Sequence, residues 1–90
     1  MDVKEAVRTA KGYVADLLSE ENLRNIGLEE VKFNQKTKEW NVTIGFSRPW
    51  DFHVPNPTQL SENYRPGRDY RLVTIKDGTG ELISFTRRDS

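Results

Sequence analysis

At Leu28 the apolar residues of this chain change their period, and the change is not reversed afterwards. Upstream, Val3, Ala6, Val7, Ala10, Tyr13, Val14, Leu17 and Leu18 recur at steps of three and four, one stripe of a helix, while Lys4, Arg8, Lys11, Asp16 and Glu20 fall outside it. Downstream, Val31 and Phe33 alternate with Lys32 and Asn34, and Trp40, Val42, Ile44 and Phe46 alternate with Asn41, Thr43 and Gly45. That is the period of half-buried strands. A helix followed only by strands must bury its stripe against the sheet those strands make. Asp2 stands in N-cap position with Glu5 three residues on, and Gly27 suits the left-handed residue that closes a helix, so the helix is expected over about residues 2–22.

Turn residues set how the strands pair. The polar run Gln35-Lys36-Thr37-Lys38 closes a hairpin at about residues 28–47, placing Phe33 opposite Trp40 and Val31 opposite Val42, with every large apolar group on one face. A second hairpin, about residues 68–87, turns at Asp77-Gly78-Thr79-Gly80. Pairing Lys76 with Glu81 puts Tyr70, Leu72, Ile83 and Phe85 on one face and Val73, Ile75 and Leu82 on the other. The expected fold is α+β: one N-terminal helix packed on a four-stranded antiparallel sheet of two hairpins, with a long Pro-rich loop, residues 48–67, between them. Its expected core is Val7, Ala10, Val14, Leu17, Val31, Phe33, Trp40, Val42, Ile44, Phe46, Tyr70, Leu72, Ile83 and Phe85. With 90 residues the chain makes one domain, 1–90. The helix covers one face only, so Val73, Ile75 and Leu82 need another cover: the loop in a monomer, which is favoured, or a second copy in a homodimer.

The segment between the hairpins holds all four prolines, the only His and one of the two Trp. A connection of about twenty residues is uncommon in a small domain unless it serves a function. Its prolines forbid a central strand but lower the entropy lost in holding an extended shape. Arg48, Trp50, Phe52, His53, Leu60, Tyr64 and Arg65 are therefore the candidate binding residues, aromatic anchors with polar contacts beside them. The competing reading folds the same aromatics back over the sheet as core.

Composition removes most other chemistry. Fourteen Lys plus Arg balance fourteen Asp plus Glu, so nothing draws the chain to phosphates, and nucleic acid is not an expected partner. No Cys and one His exclude thiolate or multi-histidine metal centres within the chain, and neither a metal nor another cofactor is expected. Charges at Asp2, Lys4, Glu5 and Arg8 interrupt any leader-like or spanning apolar run, so a cytoplasmic protein without a membrane partner is expected. No catalytic set stands out. The expected function is a non-catalytic protein-binding module of the peptidase-inhibitor or regulator kind, using the loop and the sheet surface. The alternative is a small-ligand or hydrolytic site around Asp51 and His53, an Asp–His pair two residues apart.

Glu30-Val31, Trp40-Asn41-Val42, Tyr70-Arg71-Leu72 and Asp77-Gly78-Thr79-Gly80-Glu81 occur in an order that resembles the PepSY-like family of small cystatin-like α+β domains. The likeness spans most of the chain apart from residues 48–67. It implies the same helix-on-sheet fold and a role in inhibiting or chaperoning peptidases, and it supplies no catalytic residue. Trp40-x-Val42-x-Ile44, Arg48-Pro49, Tyr70 and Gly80-Glu81-Leu82 resemble, more distantly, a gas-vesicle accessory family.

Overall fold

The computed structural model describes residues 1–49 and 68–88. Helix α1 (Val3–Leu17) is followed by a short 3-10 turn (Ser19–Glu21) and four strands, β1 (Arg24–Asn34), β2 (Glu39–Ser47), β3 (Asp69–Lys76) and β4 (Leu82–Arg87). The strands form one antiparallel sheet in the order β1-β2-β3-β4. The expected α+β architecture is the one observed.

Local chemistry accounts for the ends of α1. The Asp2 carboxylate accepts the Glu5 N–H at 2.8 Å, satisfying a donor that the first helical turn leaves without a partner. The exit differs from expectation. α1 ends at Leu17, Asn22 at φ 52° supplies the left-handed residue at the close of the 3-10 turn that follows, and Gly27 lies inside β1 instead of ending the helix. Asparagine tolerates this conformation because its short polar side chain bonds locally, so the chain turns extended several residues earlier than the glycine suggests.

The first hairpin has the expected register, with Phe33 opposite Trp40 and Val31 opposite Val42. The Asn34 side chain accepts the N–H groups of Lys36 and Thr37 at 2.9 and 3.3 Å, and Lys38 turns the corner at φ 58°.

The second hairpin corrects the sequence reading. Ile75 faces Leu82 as expected, but one extra residue enters β4 at Ile83, so Thr74 faces Ser84 and Val73 faces Phe85. The bulge moves Phe85 to the face of Val73 and Ile75. Val42 faces Val73 and Trp40 faces Ile75 across β2 and β3, so this is also the face that α1 covers. Ala6, Ala10, Val14, Val42, Ile44, Phe46, Val73 and Ile75 are wholly buried there. Val73 and Ile75 are core, with Leu82 packed against them, and they need no cover from a loop or a second copy. Leu72, paired with Thr43, belongs to the other face together with Tyr70, while Leu17 and Ile83 are 53% and 47% exposed; none of the four joins the core.

Candidate functional site

Of the sequence-derived candidates, Trp50, Phe52, His53, Leu60, Tyr64 and Arg65 lie outside the described residues, as does Asp51. Arg48 lies within them, just past β2, and its guanidinium is engaged inside the chain. Nε is 2.7 Å from Glu21 Oε1, and Nη2 donates to Asp69 Oδ2 at 2.7 Å. The Arg48 and Arg71 guanidinium carbons stand 5.2 and 5.3 Å from the centre of the Phe46 ring, in cation–π range. Arg71 Nη1 lies 3.1 Å from Asp69 Oδ1, which also accepts the Tyr70 N–H at 2.9 Å, with Arg87 at 3.7 Å. Burial raises the Asp69 pKa, but the Tyr70 N–H, Arg71 and Arg48 outweigh it and hold the carboxyl below its ordinary value. The arrangement is a clasp. It ties residues 48 and 69, on either side of the Pro-rich segment, to the end of the 3-10 turn.

A second site is set by the seating of α1. Its centre, Ala6, Ala10 and Val14, presses onto β2 and β3, and on one flank the Tyr13 hydroxyl donates to the Gly80 carbonyl at 2.8 Å in the β3–β4 turn. The other flank faces β1 and is less covered. There, Val3, Lys4, Val7, Arg8, Lys11 and Leu28 line a groove of about 450 Å³. Val3 and Leu28 are 46% and 43% exposed, which makes the floor apolar and open to water. Lys4, Arg8 and Lys11, spaced i, i+4 and i+7, project from the same side of the helix and form a cationic rim. None of the three forms an ion pair with a described residue.

An apolar floor under a one-signed rim has the chemistry to hold an apolar group with an anionic one beside it. Among the described residues no three His, Cys, Asp or Glu side chains are grouped to hold a metal ion, and no helix is long and apolar enough to cross a membrane. No family model, curated protein or solved structure matches the chain. Sequence reading missed the groove because it treated Lys4, Arg8 and Lys11 only as the polar side of an amphipathic helix. Their spacing was the available signal; that their side of the helix adjoins an edge strand was not.

Proposed function

We propose that this protein is a non-catalytic protein-binding module, of the inhibitor or regulator kind, whose contact surface is the groove between α1 and β1. The observation that carries this reading is the groove itself, an apolar floor of exposed Val3 and Leu28 with half-buried Val7 between them, under the cations of Lys4, Arg8 and Lys11. Exposed apolar area with a polar rim is the anatomy of a protein contact. The clasp at Arg48 and Asp69 favours the Pro-rich segment as a second contact element, since both of its ends are held to the same framework.

The test is capture of a defined stoichiometric complex from the native host by the tagged chain. Leu28→Glu changes an exposed floor residue, and circular dichroism verifies that the fold persists. Loss of the complex in Leu28→Glu, with retention in His53→Ala, supports the reading. A complex unaffected by Leu28→Glu, or a turnover that His53→Ala abolishes, overturns it; the latter moves the function to Asp51 and His53.

A further inference from the structure

We infer that the groove receives an extended acidic segment of another protein, which adds to the free edge of β1 as a fifth strand. The inference rests on the groove being the binding surface and names the chemistry of what enters it. β1 has eleven residues, pairs with β2 along one edge, and has no strand on its other edge among the described residues. An open edge offers a row of backbone donors and acceptors that an incoming strand satisfies. Two irregularities, between Arg24 and Gly27 and between Leu28 and Glu30, bend the first half of β1, and from Glu30 to Asn34 the register with β2 is unbroken. This straight stretch begins two residues beyond Leu28 of the groove floor, past the second irregularity.

Dimensions agree. From Val3 to Lys11 the helix advances about 12 Å at 1.5 Å per residue, which about four residues of extended chain span. A strand lying there directs alternate side chains toward the helix, so apolar groups at some of those positions meet Val3, Val7 and Leu28 and acidic groups at the others meet the rim. The charge of the segment follows from the rim: Lys4, Arg8 and Lys11 present one sign and carry no counter-ion from the described chain. The acidic residues of β1 do not compete. Glu29 reaches over Gly45 on the other face of the sheet, where it lies 3.4 Å from Arg68, and Glu30 is 3.2 Å from Arg88 and 3.7 Å from Lys32. A second copy is the wrong occupant. Pairing two β1 edges about a two-fold axis normal to the sheet sets the helices on one face with their cationic rims opposed, and like charges repel.

The probe is a blocked heptapeptide, Val-Thr-Glu-Thr-Val-Thr-Glu, whose valines and glutamates share one face of the strand, compared by calorimetry at low salt with its glutamine counterpart and with versions N-methylated on alternate amides in each phase. Binding is expected to be at least tenfold tighter for the glutamate peptide than for the glutamine one. The double variant Lys4→Gln, Arg8→Gln is expected to remove that difference, and one phase of N-methylation to abolish binding. Hydrogen exchange should show new protection on the amides of β1. Equal affinity for the two peptides, indifference to N-methylation in both phases, or no binding of the heptapeptide overturns the inference. So does a wild-type dimer in sedimentation that Leu28→Glu converts to monomer. Failure of the peptide alongside a host complex that Leu28→Glu disrupts leaves the groove as the contact surface and removes only the strand-addition mode.

Discussion

The Arg48 guanidinium donates to the Asp69 carboxylate at 2.7 Å, joining the residue that follows β2 to the residue that opens β3. Both side chains are about five-sixths covered, and Glu21, Arg71 and the Phe46 ring complete their surroundings. A clasp at this position fixes where the intervening chain leaves the sheet and where it re-enters. It also means that Arg48, chosen from the sequence as a contact for a partner, spends its guanidinium on the fold.

Removing either half of the clasp should therefore act on stability. Arg48→Ala leaves Glu21 and one Asp69 oxygen without their partner, and a loss of about 1.5–3 kcal/mol is expected from urea unfolding, in the range of hydrogen bonds to charged groups. The pH dependence has a definite sign. Asp69 is held below its ordinary value in the folded chain, so its contribution is complete above the unfolded value and disappears as pH falls through the lower folded one. Wild type should lose stability on acidification below about pH 4, near the ordinary carboxylate value, and Asp69→Asn should show a flatter profile there.

Trp40 and Asp77 carry a second titration. The indole Nε1–H donates to Asp77 Oδ1 at 3.0 Å, and this bond is the chief reason the Asp77 carboxyl titrates below its ordinary value, with the Met1 amino group 3.6 Å away assisting. Trp40→Phe keeps a ring against Phe33, whose centroid lies 4.8 Å away, but removes the donor. Carboxyl NMR should find the Asp77 midpoint displaced upward in Trp40→Phe while the midpoint of Asp69 stays in place. Coincident displacement of both would show that the substitution loosens the whole sheet.

What could be read from the sequence depended on how one-sided each element is. The first hairpin has apolar groups on one face only, and a one-residue slip would turn Phe33 and Trp40 to opposite sides, so its register is strongly specified. β3 carries Tyr70 and Leu72 on one face and Val73 and Ile75 on the other, so alternation alone does not say which face meets the helix. The bulge at Ile83 decided the pairing, and isoleucine is an ordinary strand residue with no turn or bulge signature. For the sites the limit was distance along the chain. Glu21 and Asp69 are recognisable as partners of Arg48, and Leu28 as a neighbour of Val3 and Val7, only after the sheet brings them together.

The corrected faces yield a direct comparison. Val73 and Ile75 have no exposed surface and lie beneath α1, so the double variant Val73→Lys, Ile75→Glu forces two charged groups into an apolar core, where even a mutual ion pair would not offset their desolvation, and should be unfolded. Ile83→Lys alters the extra residue of the bulge, 47% exposed, and should change stability by no more than about 0.5 kcal/mol. Circular dichroism and thermal melts of both variants check the assignment. A folded, soluble Val73→Lys, Ile75→Glu protein would mean that α1 covers the opposite face.

Gly45 gives the most local test, because the outer face of the sheet closes over it. A Cβ at this position would stand 2.8 Å from both Arg68 Nη2 and Glu29 Oε1 and 3.0 Å from Tyr70 Cε1. Arginine and glutamate ends can swing away, but doing so breaks the 3.4 Å ion pair between them and the 3.1 Å bond from Arg68 to the Asn25 carbonyl. The Tyr70 ring, on a shorter and stiffer side chain opposite Gly45, has less room to retreat. Gly45→Ala should therefore cost about 1–3 kcal/mol, the usual range for overpacking a filled site, although alanine is ordinarily the better strand residue. Truncating the neighbours supplies the control. In an Arg68→Ala, Tyr70→Ala background the same Gly45→Ala change should be nearly neutral, and a cost that survives there would place the strain in the β2 backbone instead of in the side chains crossing it.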